Sequence, residues 1–223
     1  MRSKSAPLFQ DRAEAGRKLA AALAPVAAQK PIVLALPRGG VPVAFEIATA
    51  LKAPLDVLLV RKIGAPGQPE LGLGAVVDGA AARTVWNEEI LRLVSPGPDY
   101  LENERARQLQ EIERRRALYR GDRQPLPVRG RLVILVDDGV ATGGTVGAAL
   151  EALRQEGLTA LVLAVPVAPR ETLEALGRNA DAVVCLATPE PFLSVGSHYR
   201  DFTQTEDSEV IELLHRAAAA ASE

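Results

Sequence analysis

The chain has 223 residues, 48% of them hydrophobic, with 26 basic and 28 acidic side chains and a formal net charge of -2. That length supports one good core, with room for an appended lobe. The near-neutral balance excludes a global field that would recruit nucleic acid or an anionic membrane surface.

The one cysteine, Cys185, lies within the apolar stretch Ala182-Val183-Val184-Cys185-Leu186, where it reads as a small buried hydrophobe with no partner for an internal disulfide. No apolar run approaches the about 20 residues that a membrane helix needs. Leu19 to Ala28 is apolar, but Asp11, Glu14, Arg17 and Lys18 precede it and Pro25 interrupts it. That is not the form of a secretory signal, and a cytoplasmic location is expected.

In chain order, the pattern predicts a helix over about 10–28, a strand over 31–36, a helix over 41–52 and a strand over 55–61. Between 62 and 130 the alternation breaks. A Gly/Pro-rich loop (62–74) precedes a hairpin around Asp78-Gly79 and a helix from about 98 to 119, and Pro125 and Pro127 close the insertion. Alternation then resumes, with strands at 131–137, 159–165 and 181–186 and helices at 145–156 and 169–178. Strands alternating with helices indicate an α/β fold, a Rossmann-like parallel sheet flanked by helices on both faces. Such sheets take ligands outside the carboxyl ends of their strands, where the strand order reverses. No repeat or low-complexity linker interrupts 1–223. A single domain is therefore expected, with an inserted flap (about 62–130) and a C-terminal hood (about 187–205).

The first glycine loop, Pro37-Arg38-Gly39-Gly40-Val41-Pro42, joins a strand to a helix. Adjacent glycines expose backbone N–H groups, and Arg38 supplies a planar, permanent cation suited to phosphate oxygens. The next strand ends in Val60-Arg61-Lys62. Two cations at a core strand's end are costly to bury, so they should face a polyanion or solvent. The loop after them reads as a mobile lid. Glu70 is its only charge, either positioning an incoming nucleophile or capping the following turn. Arg105, Arg107, Arg114, Arg115, Arg116 and Arg120 are interleaved with Glu102, Glu104, Glu111 and Glu113 at helical spacing, which favours an ion-paired, solvated face over a nucleic-acid stripe.

The most informative segment is Asp137-Asp138-Gly139-Val140-Ala141-Thr142-Gly143-Gly144-Thr145-Val146. It follows the apolar Leu132-Val133-Ile134-Leu135-Val136 and leads into a helix. Gly143 and Gly144 permit a sharp turn and close backbone approach. The free N–H groups of the first helical turn, with the Thr142 and Thr145 hydroxyls, make an anion site. The two carboxylates suit sugar hydroxyls or magnesium instead. Together they describe a sugar phosphate. The same acids could belong to a Walker-B strand, but the G-x-x-x-x-G-K-[ST] loop which that reading requires is absent.

The segment from Val133 to Thr145 resembles the phosphoribosyl pyrophosphate (PRPP) motif of type I phosphoribosyltransferases: apolar strand, Asp-Asp, three residues, Thr-Gly-x-Thr. The resemblance implies that Asp137 and Asp138 meet the ribose hydroxyls and that Ala141, Thr142, Gly143, Gly144 and Thr145 cradle the 5-phosphate. It also implies that Arg38, Gly39 and Gly40 form the pyrophosphate loop, and that Lys62 meets pyrophosphate from the base of the flexible loop, with Arg61 beside it as a further candidate substrate-binding cation. That loop departs from some members in having no lysine or arginine after Lys62. The stretch from Thr188 to Phe202, with Pro189-Glu190-Pro191-Phe192, loosely resembles the Pro-x-x-Phe-x-Val-Gly segment of 6-oxopurine phosphoribosyltransferases, with one residue inserted before Val195-Gly196. Phe192 and Tyr199 are the candidates for stacking on a flat acceptor; Phe202 either joins them or plugs the sheet's open end.

End to end, the chain is similar to a set of uncharacterised bacterial phosphoribosyltransferases that share Phe9-x-Asp11-Arg12, Pro37-Arg38-Gly39-Gly40, Arg61-Lys62 and Tyr199-x-Asp201-Phe202. The implied activity is transfer of a 5-phosphoribosyl group from PRPP to a nitrogen acceptor. Asp137, Asp138, Lys62 and Glu70 would act in catalysis, with Mg2+ held indirectly by the acid pair through the ribose diol. The implied partners are PRPP and a small-molecule acceptor, in a homodimer, with no nucleic acid and no membrane. The alternative is a non-catalytic protein of the same fold that senses PRPP or a nucleotide.

Overall fold

A computed structural model describes residues 7–79 and 82–220. Helix α1 (Arg12–Leu23) starts where Asp11 accepts from the Glu14 amide at 2.7 Å and the Glu14 carboxylate accepts from the Gln10 amide at 2.5 Å, a reciprocal cap. It ends before Pro25 in a 3-10 turn over 24–29, short of the expected 28, because proline cannot donate within a helix. Then follow β1 (Ile32–Ala35), α2 (Gly40–Leu51) and β2 (Leu55–Val57). After the insertion come β6 (Leu132–Val136), α5 (Gly144–Arg154), β7 (Ala160–Val167), α6 (Arg170–Leu176), β8 (Ala182–Ala187) and α7 (Asp207–Ala220).

The main sheet is parallel, in the order β2-β1-β6-β7-β8. Its side chains alternate between two apolar layers. Val33, Ala35, Ile134 and Val136 pack with Leu19, Val43, Ile47 and Leu214 from α1, α2 and α7. Ile32, Leu34, Val133, Leu135 and Leu163 pack with Ala149, Leu153 and Leu176 from α5 and α6. This is why the strands read as continuous apolar runs: both faces are covered. The order reverses between β1 and β6, since the chain leaves β1 toward β2 and leaves β6 toward β7. The Pro37–Gly40 loop and the acid pair both sit at that reversal.

The strands of the insertion differ from the expectation. The strand expected at 55–61 is two strands. Leu55–Val57 belongs to the main sheet, and β3 (Val60–Ala65) pairs antiparallel with β4 (Gln68–Val77), which pairs with β5 (Arg83–Trp86). Arg61 and Lys62 therefore stand on a separate three-stranded sheet instead of at a core strand's end. Most of the Gly/Pro-rich loop (62–74) is hairpin. The chain turns at 66–67, with Gly67 at φ 71°, and a register shift lies beside Gly64. A Cβ at Gly64 would stand 2.6 Å from the Pro69 carbonyl oxygen. The hairpin expected around Asp78-Gly79 is the β4–β5 pair; residues 80–81 lie outside the described residues. Helices α3 (Glu88–Val94) and α4 (Pro98–Arg120) complete the insertion.

Helix α4 carries the expected ion pairs, Arg107–Glu104, Arg114–Glu111, Arg115–Glu111 and Arg116–Glu113. Its last turn is not solvated. Arg120 is buried and donates to Asp56 at 2.9 Å, to Asp78 at 2.8 Å and to the Val57 carbonyl at 2.6 Å, while Arg116 also pairs with Asp78. This buried cluster ties the insertion to the edge of the main sheet.

Candidate functional site

Two loops meet at the point where the strand order reverses. The Leu36 amide donates to the Val136 carbonyl at 2.9 Å, extending the β1–β6 pairing to the last residue before the acids. Beyond it, the Pro37-Arg38 peptide is cis. A Cβ on Gly39 would overlap Oδ2 of Asp138 and stand 2.6 Å from its Cγ; one on Gly40 would lie 2.8 Å from the Val136 carbonyl oxygen and 3.1 Å from the Asp137 Cα. The adjacent glycines are what let this loop lie against the acid pair.

The acid pair is followed by an open anion cradle. Val140 donates to the Val167 carbonyl at 2.9 Å, and the Thr172 hydroxyl donates to the Ala141 carbonyl at 2.9 Å, so α6 and β7 hold the loop's outer side. Gly143 takes φ 80°, a left-handed conformation that glycine adopts freely, and α5 begins at the next residue. Among the described residues, no acceptor engages the amides of Thr142, Gly143, Gly144 or Thr145. Thr142, Gly144 and Thr145 are exposed, and a Cβ on Gly144 would meet nothing within 4 Å. Free first-turn amides at the positive end of a helix favour an anion.

A third element reaches the acids from both ends of the chain. Leu8 and Phe9 amides donate to the His198 carbonyl, and the Arg200 and Asp201 amides donate to Phe9 and Gln10 carbonyls, stitching the N-terminal segment to the hood. Arg12, the first residue of α1, donates from Nε to Asp138 Oδ2 at 2.8 Å and from a terminal nitrogen to the Thr203 carbonyl at 2.7 Å. Its guanidinium lies 4.0 Å from the Phe202 ring centre. Tyr199 donates its hydroxyl to the Asp138 backbone carbonyl at 2.6 Å. Sequence reasoning noted Arg12 in the opening motif but gave it no role, because nothing local to residue 12 signals a partner 126 positions away.

The electrostatics follow from this packing. Burial, then the neighbouring Asp138 charge, raise the Asp137 carboxyl well above the ordinary aspartate range, against the amide bond from Asp138 and the more distant pull of Arg12. Burial also raises Asp138, opposed by the hydrogen bond and charge of Arg12. Burial pushes the Tyr199 phenol up, so it remains a donor.

The other expected site residues are placed as follows. Arg38 is partly exposed, with a terminal nitrogen 3.8 Å from Asp207 and 3.9 Å from Glu206 at the start of α7. Arg61 donates to Gln108 of α4 at 3.1 Å. Lys62 is paired with Glu70 across the hairpin at 2.9 Å, and among the described residues neither is bonded to the acid pair or the anion cradle. Phe192 is partly exposed beside His198, with ring centres 5.1 Å apart. His198 is held toward its neutral form by burial, and its Nε2 has no partner among the described residues. Tyr199 is buried, with Phe9 and Phe202 against its ring at 5.3 and 5.1 Å.

Among the described residues, no group of three or more His, Cys, Asp or Glu side chains is placed to hold a metal. Two carboxylates, with Asp137 Oδ2 and Asp138 Oδ1 accepting no protein hydrogen bond among the described residues, fit a magnesium ion that shares its oxygens with a substrate. No helix among the described residues is long and apolar enough to cross a membrane.

The phosphoribosyl transferase domain matches residues 10–189. Two Mycobacterium tuberculosis proteins, from strains CDC 1551 and H37Rv, both named "Putative phosphoribosyl transferase", are 47% identical over 210 residues. The match covers 94% of this chain and 47% of theirs, so the chain spans about half the length of these relatives. The crystal structure of a Thermus thermophilus protein superposes with a TM-score of 0.81 at 47% identity, covering 93% of this chain and 98% of that one. With the domain matched over residues 10–189, the stretch that holds the acid pair and both glycine loops, the chain belongs to the phosphoribosyl transferase domain family.

Proposed function

We propose that this protein binds PRPP with magnesium and transfers its 5-phosphoribosyl group to a nitrogen acceptor, a nucleobase or related heterocycle, releasing pyrophosphate. The single observation that supports this most is the juxtaposition of Asp137 and Asp138 with the unengaged Thr142–Thr145 amides, facing the Gly39-Gly40 loop across the reversal of strand order.

In this reading the Thr142–Thr145 cradle takes the 5-phosphate, and its binding energy orients the ribose for reaction. Asp137 and Asp138 accept from the ribose hydroxyls. The bond from C1 to pyrophosphate breaks with its electrons leaving on pyrophosphate; the acceptor nitrogen bonds to C1 and loses its proton to water. The ribose passes through an oxocarbenium-like state, and the carboxylates beside it favour that positive charge. Arg38, the Gly39 amide and Lys62 offset the charge on the departing pyrophosphate; the Gly40 amide, expected to be exposed, instead donates to the Leu36 carbonyl at 3.1 Å and closes the loop. Bound magnesium supplies further charge neutralisation on the pyrophosphate oxygens. Phe192 offers an aromatic face in the hood to a flat acceptor, and Glu70 lies within reach of Lys62 on the hairpin.

The test is calorimetry with PRPP and magnesium, followed by pyrophosphate release on screening bases and small amines. Micromolar binding that is lost in the double variant Asp137→Asn/Asp138→Asn, with acceptor-dependent pyrophosphate release, supports transfer. Binding with no release against any acceptor turns the reading to a PRPP sensor, release without acceptor to a hydrolase, and no wild-type binding refutes it.

A further inference from the structure

Asp138 is held more completely than a substrate-facing carboxylate at a loop needs to be. Its Oδ2 lies where a Cβ on Gly39 would overlap it and is bonded to Arg12 Nε at 2.8 Å. Its carbonyl is bonded to Tyr199 at 2.6 Å. Only Oδ1 accepts nothing among the described residues. Arg12 is fixed in turn: the Asp11–Glu14 cap sets its place at the start of α1, a terminal nitrogen reaches the Thr203 carbonyl, and Phe202 lies under the guanidinium. Its side chain is 12% exposed, so the pair is sheltered from solvent screening.

We infer that Arg12 is a positioning residue: it fixes the Asp138 carboxylate so that a single oriented oxygen, Oδ1, is presented to a ribose hydroxyl. The inference rests on the reading of the acid pair as a ribose-diol site. A planar guanidinium with three anchored contacts sets carboxylate direction in a way that a flexible ammonium cannot. It follows that the N-terminal segment 8–12 and the hood segment 198–203, far apart in the sequence, support diol recognition at a motif that lies between them. Catalytic or binding groups hold their geometry only when neighbours lock their rotamers.

The experiment measures ribose 5-phosphate and 2,3-dideoxyribose 5-phosphate binding calorimetrically, the ratio of the two dissociation constants being what the diol contributes. Wild type is expected to prefer the diol by about tenfold or more. In Arg12→Gln that preference should fall to about twofold, while affinity for the dideoxy compound, which reads the phosphate cradle, stays within about twofold of wild type. Arg12→Lys should recover part of the preference. Phe202→Leu, which removes the ring beneath the guanidinium without touching Asp138, gives an independent reading if Arg12→Gln folds poorly, with an expected fall of about threefold. An unchanged preference in Arg12→Gln, or in Phe202→Leu where only that variant folds, overturns the positioning role and leaves the ribose reading intact. Equal wild-type affinity for the two sugars, or no binding of either, overturns the ribose reading and the role of Arg12 with it.

Discussion

Gly39 and Asp138 occupy space that a single methyl group would contest: a Cβ at residue 39 would overlap the Asp138 carboxylate, with backbone of the loop pressed against it. Gly39→Ala must push the Pro37–Gly40 loop away from the acids or turn Asp138 off Arg12. The expected cost is about 1–3 kcal/mol of stability, the range for forced overpacking, together with loss of PRPP affinity. Gly144→Ala is the contrast. Its Cβ meets nothing within 4 Å, so stability should hold, while affinity for a phosphate seated on those amides should drop. Thermal unfolding paired with calorimetry separates the two, and equal behaviour of the variants would refute the distinction.

The raised Asp137 carboxyl makes a second prediction. A folded-state value above the unfolded one means that the residue's contribution is full below about pH 4 and is lost as pH rises through the folded value. Asp137→Asn imitates the protonated form and keeps an acceptor for the Asp138 amide. At neutral pH it should stabilise the ligand-free protein by about 0.5–2 kcal/mol, or a few degrees in Tm, with the gain vanishing toward about pH 4. Melting curves across that range check the sign, and a pH-independent difference would count against it.

Arg120 sits between Asp56 and Asp78 with all three side chains buried. Arg120→Met leaves two carboxylates without their shared cation and should cost about 3–5 kcal/mol. Arg107→Met, on the exposed face of the same helix beside Glu104, should change stability by about 0.5 kcal/mol or less. Urea unfolding of both variants decides whether the end of α4 anchors the insertion or merely decorates it.

Lys62 and Glu70 face each other on an exposed hairpin, with the Glu70 carboxyl lowered by its bond to Lys62. Lys62→Ala should leave Tm nearly unchanged, as surface substitutions do. If Lys62 meets pyrophosphate, the variant should weaken PRPP binding by about tenfold, roughly the effect of one charge-assisted contact, and leave ribose 5-phosphate binding alone. Equal losses for both ligands would remove Lys62 from the pyrophosphate side.

The alternation of strands and helices, the parallel sheet and the acid pair with its glycine loop were legible in the chain because each is a local signal. Apolar runs, turn residues and helix starts are written in neighbouring positions. The helix stop at Leu23 is local too, since Pro25 stands two residues on and cannot donate within a helix. The hairpin over 60–77 was harder: glycine and proline mark a loop locally, while the partners that make those residues a strand lie across the turn and in β5.

Local chemistry in this sequence thus determined which residues carry charge, flexibility and apolar surface, and in what order they meet a parallel sheet. Tertiary structure alone decided that Arg12 holds Asp138, that Tyr199 is buried as a hydrogen-bond donor, and that Arg120 leaves the solvated face of its helix for two buried aspartates. Those contacts join residues 42 to 126 positions apart. Their energies depend on burial and direction, and neither exists until the sheet has brought the loops together.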